Sequence, residues 1–156
     1  KSRRLKSVLI FNSLLDEINT RPFLAKQIDR FNCYLPKVKK ENGSLGVHPI
    51  TNLNKDLQLG TYGIYEPNTL EEINWLNKID CMVLPARALD MEGNRLGRGK
   101  GYYDRLLSTN DVQKKTIICM IYHCQLVAEI LAESYDVPIE YCITEKGVFH
   151  LRRKPK

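Results

Sequence analysis

Asp80-Cys81-Met82-Val83-Leu84-Pro85 is the stretch on which the fold turns. An aspartate opens it, apolar residues follow without a break, and a proline stops it. A short run with no polar alternation suits a strand covered on both faces, as in parallel sheets. Val8-Leu9-Ile10-Phe11 repeats the pattern upstream. Between the two, Thr20 reads as a helix N-cap with Pro22 in the first turn, and Phe23, Leu24, Gln27, Ile28 and Phe31 recur at helical spacing. Cys33-Tyr34-Leu35-Pro36 reads as the next strand, ended by its proline. Downstream, a helix opens over Tyr102 to Leu107, a strand follows over Thr116 to Tyr122, and a helix over Gln125 to Ala132. Tyr141-Cys142-Ile143 and Val148-Phe149 read as the last short strands. Strands alternating with helices predict an α/β fold with a mainly parallel sheet.

One stretch departs from the alternation. Residues 37–63 are polar, with Asn42-Gly43 as a hairpin turn and short strands over Val47 to Ile50 and Leu57 to Leu59. Tyr62-Gly63-Ile64-Tyr65-Glu66-Pro67 closes this excursion, which reads as part of one domain over residues 1–156. Thr69, with Glu72 three residues on, carries a capping-box signature, and Ile73, Trp75 and Leu76 would give that helix an apolar side.

Lysine and arginine number 24 against 18 acidic residues, a formal net charge of +6 that favours anionic partners. Much of the excess lies in the ends, Lys1 to Lys6 and Arg152 to Lys156, which read as solvated tails. They carry little aromatic surface, so nucleic acid is not the expected partner. No run of about 18 apolar residues suggests a transmembrane helix, and the basic start lacks the cleavage site of a signal peptide. The five cysteines include no Cys-x-x-Cys pair. Cys33, Cys81, Cys119 and Cys142 fall in strand-like runs and read as buried thiols in a reducing compartment, the cytoplasm. The Cys119–Cys124 spacing has no second half elsewhere, so zinc is not expected.

The chemistry concentrates in Asn94-Arg95-Leu96-Gly97-Arg98-Gly99-Lys100-Gly101-Tyr102-Tyr103-Asp104. Alternating glycines let a backbone fold tightly and aim several N–H groups at one anion. Arg95, Arg98 and Lys100 add positive charge, and arginine can grip phosphate oxygens with paired hydrogen bonds. The helix starting near Gly101 would add its own N–H groups. The loop is neither a Walker A sequence nor the dinucleotide fingerprint. It follows the strand ending near Pro85, the carboxyl-end position where α/β sheets bind ligands. The spacing points to a polyanionic small molecule such as a nucleoside triphosphate. Asp104, in the first helical turn, reads either as a dipole-stabilising carboxylate or as a magnesium ligand beside phosphates. Asp136, taken alone, reads as an ordinary loop aspartate.

The segment from Asn94 to Asp104 closely resembles the signature of the 5-formyltetrahydrofolate cyclo-ligases, also called methenyltetrahydrofolate synthetases. The likeness extends to Ile10-Phe11-Asn12-Ser13 with Asp16-Glu17-Ile18-Asn19-Thr20, to Tyr34-Leu35-Pro36-Lys37-Val38, and to Gly63-Ile64-Tyr65-Glu66-Pro67. Cys124-Gln125-Leu126 and Tyr135-Asp136-Val137-Pro138 continue it toward the C-terminus. The resemblance implies a three-layer, Rossmann-like fold of the NagB/RpiA/CoA-transferase-like kind, in a cytoplasmic, monomeric enzyme of one-carbon metabolism. It implies conversion of 5-formyltetrahydrofolate to 5,10-methenyltetrahydrofolate, with ATP as co-substrate, Mg2+, and release of ADP and phosphate. By the same resemblance, Arg95, Leu96, Gly97, Arg98, Gly99, Lys100, Gly101, Tyr102 and Tyr103 cradle ATP. Asn12 and Glu17, with Arg98, Gly99, Lys100, Gly101 and Tyr102, face the reduced folate, and the end of the Phe11–Asn12 strand lines its pocket. Arg98, Lys100 and Tyr102 are the expected catalytic residues, and Asp104 and Asp136 the expected metal ligands.

Two features depart from the family pattern. Members carry a helical segment before the first strand, whereas here that strand begins soon after Lys1, so the chain reads as N-terminally short. The family's Pro-Gly-x-x-Phe-Asp stands here as Pro85-Ala86-Arg87-Ala88-Leu89-Asp90; since Leu89 is still apolar, the expected effect is mild. The competing readings are a non-catalytic folate- or nucleotide-binding relative and a nucleic-acid-binding module using the positive charge. Counterion release would make nucleic-acid binding steeply salt-dependent.

Overall fold

The computed structural model describes residues 5–60, 63–74, 77–108, 112, 115–131 and 136–151. The chain divides into two compact units, Lys1–Met82 and Val83–Lys156.

In the first unit, β1 (Ser7–Ile10), α1 (Arg21–Gln27) and β2 (Asn32–Val38) form a strand–helix–strand crossover, with β1 and β2 parallel from the Ser7–Asn32 pair to Leu9–Tyr34. Every residue of β1 is buried, as its unbroken apolar run predicts. Asp80 fixes the start of that strand: its carboxylate accepts from the backbone N–H of Lys6 at 2.9 Å and from the Ser7 hydroxyl at 2.9 Å. β3 (Leu45–Ile50) returns antiparallel to β2, and the turn between them contains Asn42 and Gly43, the latter at φ 65°. β2 does not stop at Pro36. It continues to Val38, because β1 pairs with it only as far as Tyr34 and leaves Pro36 with β3 alone as neighbour. Such an edge-like position tolerates a residue without an N–H. β4 (Leu57–Leu59) and β5 (Tyr65–Pro67) form a separate antiparallel pair.

Thr20 does occupy the N-cap of α1, yet its side chain caps nothing there. The hydroxyl donates instead to the Phe11 carbonyl at 2.8 Å, where β1 has ended and that carbonyl needs a partner. Leu24 is the residue of α1 buried against the core. The helix expected from Thr69 is absent among residues 69–74; Trp75 and Leu76 lie outside the described residues. Thr69 Oγ1 accepts from the Glu71 N–H at 3.0 Å, Glu72 pairs with Lys39 at 2.7 Å, and the Ile73 N–H donates to the Val47 carbonyl. A local turn has taken the Thr69 hydroxyl, and Lys39 has taken the Glu72 carboxylate that a capping box would use.

β6 (Cys81–Leu84), fully buried, crosses the division between the units. In the second unit, β7 (Ala88–Leu89) and β8 (Arg95–Leu96) make a short antiparallel hairpin that the sequence does not announce. It stands between β6 and the glycine loop. α2 (Tyr102–Leu107) follows where it is expected. β9 (Thr116–Met120) and β10 (Tyr141–Thr144) are parallel, and β11 (Gly147–His150) is antiparallel to β10. The helix expected over Gln125 to Ala132 is not formed by its described residues: a 3-10 turn over His123–Gln125 leads into extended chain. Leu126 bridges Leu89, and the Val127 N–H donates to the Leu89 carbonyl at 2.9 Å, so this segment lies along β7. The fold is α/β and Rossmann-like. No helix among the described residues is long and apolar enough to cross a membrane.

Four of the five cysteines are buried and Cys124 is exposed. Burial pushes the Cys81 thiol up to about 12 and the Cys142 thiol up to about 11, and raises Cys33 and Cys119 as well.

Candidate functional site

The glycine loop leaves a stem that is largely buried. Leu89 and Asp90 are inaccessible to solvent and Ala86 is nearly so. Leu89 therefore fills the apolar position that the family pattern gives to a phenylalanine. From β8 onward the chain emerges: Leu96, Arg98, Gly99 and Lys100 are exposed. Gly99 and Gly101 sit at φ 79° and 63°, a left-handed conformation that side-chain-bearing residues disfavour. Gly101 is the N-cap of α2, and a Cβ there would meet the Arg105 guanidinium at 3.1 Å. α2 is six residues long, so its dipole adds little at the foot of the loop.

The cations divide into two kinds. Arg95 turns inward: its side chain is only 6% exposed, it donates to the Pro85 carbonyl at 3.4 Å, it forms an ion pair with Asp104, and it lies over the Tyr103 ring. Arg98 and Lys100 lie on the exposed arc, and Arg105 stacks over Tyr102, its guanidinium carbon 5.5 Å from the ring centre. Arg95 thus ties the base of the loop to the first turn of α2, and it sets where the Asp104 carboxylate stands.

Asp104 remains 44% exposed despite that ion pair. Magnesium commonly takes one or two carboxylates and fills its shell with waters and phosphate oxygens. An exposed carboxylate at the foot of a basic glycine loop fits that donor set. Asp136 is half-buried. No group of three or more potential metal-ligating side chains occurs among the described residues.

Asn12 and Glu17 belong to the first unit. The Asn12 side-chain amide donates to the Tyr65 carbonyl, and the Arg21 guanidinium covers the Tyr65 ring at 5.3 Å. Glu17 accepts the Leu14 N–H at 2.9 Å and donates its own N–H to the Leu14 carbonyl, closing a tight turn just after β1. Both residues therefore stand beyond the carboxyl end of β1, where parallel sheets place ligand-binding groups.

Sequence reasoning missed two groups that organise the loop. Asp90 was visible only as the end of a departing block, and Gln125 only as part of a matching one. The Gln125 amide donates to the carbonyls of Ala86 at 2.8 Å and Arg87 at 3.1 Å, joining the end of β9 to the start of the hairpin.

The sequence model of the 5-formyltetrahydrofolate cyclo-ligase family matches residues 1–145. The chain is 28% identical over 150 residues to the 5-formyltetrahydrofolate cyclo-ligase of Haemophilus influenzae, covering 89% of this chain and 75% of the relative. The Escherichia coli enzyme of the same name is 29% identical, covering 92% of this chain and 80% of the relative. Among solved structures, the Aquifex aeolicus 5,10-methenyltetrahydrofolate synthetase superposes with a TM-score of 0.79 at 30% identity, over 97% of this chain and 75% of that one. A 5,10-methenyltetrahydrofolate synthetase from Mycoplasma pneumoniae gives a TM-score of 0.62 at 25% identity, over 89% and 73%. With the family model spanning nearly the whole chain, and with relatives agreeing in both sequence and fold, the chain belongs to the 5-formyltetrahydrofolate cyclo-ligase family and is an enzyme of the ligase class.

Proposed function

We propose that this enzyme converts 5-formyltetrahydrofolate to 5,10-methenyltetrahydrofolate at the expense of ATP, which leaves as ADP and phosphate. The observation that carries this reading is the exposed, basic glycine arc Gly97–Gly101 mounted on a buried stem. A formyl oxygen is a poor leaving group. In the proposed first step it attacks the γ-phosphorus, the bond from that phosphorus to the ADP oxygen breaks, and ADP departs. The neighbouring folate nitrogen then attacks the formyl carbon and loses its proton. The carbon–oxygen bond breaks, and phosphate leaves with the oxygen.

Phosphoryl transfer of this kind depends mainly on alignment and charge neutralisation. In this reading the stretch from Arg95 to Tyr103 holds the triphosphate, and Arg98, Lys100 and Tyr102 stabilise the charge that moves during transfer. Asn12 and Glu17 hold the folate, with Arg98 to Tyr102 touching it as well. Asp104 and Asp136 would hold Mg2+, which neutralises phosphate charge when bound. No covalent nucleophile is required, and the elevated thiol pKa values of the buried cysteines suit them to packing rather than attack.

The test is turnover followed by the near-ultraviolet absorbance of methenyltetrahydrofolate, with 5-formyltetrahydrofolate, ATP and magnesium. Product that appears only when ATP and magnesium are both present supports the reading. Product formed equally well without ATP, or none from the folded protein, removes it.

A further inference from the structure

The stem beneath the glycine loop is organised by one carboxylate. Asp90 lies at the turn of the β7–β8 hairpin and is wholly buried. Its Oδ1 accepts from the backbone N–H of Glu92 at 3.0 Å and of Asn94 at 2.9 Å. Its Oδ2 accepts from the Asn94 side-chain amide at 2.9 Å and from the Ile130 N–H at 3.0 Å. A buried charge is tolerated only when its oxygens are so supplied with donors. The first three bonds close the hairpin; the fourth reaches across to the chain that follows β9.

That chain is fastened to the hairpin at further points. Gln125 bonds the Ala86 and Arg87 carbonyls, Val127 bonds Leu89, and the Ile139 N–H donates to the Gly93 carbonyl at 2.9 Å. The contact at Gly93 leaves no room for a side chain, since a Cβ there would lie 2.3 Å from the Ile139 carbonyl oxygen. Both candidate metal ligands hang from this frame. Arg95, next after Asn94, bonds Asp104, and Asp136 precedes the Gly93–Ile139 contact by three residues.

We propose that Asp90 is a positioning residue for the reaction: by joining the hairpin turn to Ile130, it fixes the glycine loop and the chain carrying Asp136 to one frame. This rests on the nucleotide reading of the loop. Asp90 is too buried to touch substrate, so it acts through Asn94, Arg95 and Ile130. Its four donors require four acceptor positions. In Asp90→Asn an NH2 group replaces one oxygen and faces the two donors that oxygen served, which lose their partner.

Amide hydrogen exchange on Asp90→Asn tests this without reference to activity. Exchange at the bonded amides of Arg87, Val127, Ile130 and Ile139, which tie the loop's stem together, should accelerate by roughly tenfold or more on loss of buried hydrogen bonds to a charged group, while β1 and β2 keep their protection. In the turnover assay the KM for magnesium-ATP should rise by about tenfold and that for folate by less, because Asn12 and Glu17 would hold the folate from outside the loop. Should Asp90→Asn fail to fold, Asn94→Ala removes only the side-chain bond and should shift exchange in the same residues by less. Unchanged exchange at those stem amides in a folded variant, or acceleration spread evenly over β1 and β2, overturns the proposal. If the wild-type enzyme proves independent of ATP, the nucleotide reading falls while the exchange result still decides whether Asp90 orders the loop.

Discussion

The β7–β8 hairpin and the glycine arc that follows it are neighbours in sequence and opposites in construction. The hairpin spends its polar groups inward: Asp90 is saturated with donors, Leu89 is buried, and Gln125, Val127 and Ile139 are bonded to its backbone. The arc presents Arg98, Gly99 and Lys100 to solvent, with nothing within 4 Å of where a Gly99 side chain would begin. A pocket for a highly charged ligand needs both halves. In the proposed reading the exposed arc meets the phosphates while the buried hairpin beneath supplies its order. Arg95 marks the change-over, since it leads into the glycine loop but its side chain is buried and bonded to Pro85 and Asp104.

The sharpest way to break the contrast is to substitute each side and compare. Arg98→Ala should lower kcat/KM by roughly 100- to 1000-fold, the usual cost of one charge-stabilising group, while thermal unfolding shifts little. A large stability loss there would make Arg98 a structural residue. Leu89→Ala should do the reverse, costing about 2–5 kcal/mol in chemical denaturation, with activity kept under conditions where the protein is still folded. Asp104→Asn should weaken the magnesium dependence of turnover by about tenfold without unfolding the chain, and an unaltered magnesium titration would remove Asp104 from the metal. Thiol labelling of the native protein extends the comparison to the rest of the core: Cys124 should react quickly and the four buried thiols only on denaturation.

The smallest expected effect concerns His48, which is buried and bonded through Nδ1 to the Glu71 carbonyl at 2.7 Å. Burial chiefly, with Lys37 and Lys39 nearby, lowers its pKa below the ordinary 6.5, against the opposing pull of that carbonyl and of Glu72. The unfolded chain therefore takes up the proton first. His48 contributes stability fully above pH 6.5, and that contribution is lost as pH falls below 6.5 toward the lower folded-state value. Denaturation midpoints for wild type and His48→Gln should converge across that acidic window; parallel curves would contradict the assignment.

The same division explains what the sequence disclosed. β1 and β6 were legible because a strand covered on both faces must be apolar throughout, whereas β2, β9 and β10 showed as short apolar runs whose residues are buried alternately. The glycine arc was legible because φ above zero, as at Gly99 and Gly101, restricts residue choice. The helices expected from Thr69 and Gln125 were not formed by their described residues, because their periodic residues pair with Val47 and Leu89 across long sequence distances. The hairpin was hidden for a related reason: β7 and β8 are two residues each, too short for a pattern, and depend on Asp90 bonding a residue forty positions away. The roles proposed for Asn12, Glu17 and Asp136 rest on family resemblance rather than on spacing.

The central claim is that the arc after the hairpin receives the triphosphate. Titration of isotope-labelled protein with magnesium-ATP, followed through backbone amide resonances, tests it most directly. The amides of Gly97, Gly99, Lys100 and Gly101 should shift most, with those of Glu92 and Asn94 on the buried stem nearly still. Shifts centred elsewhere, with the glycine amides unmoved at saturation, would contradict the account.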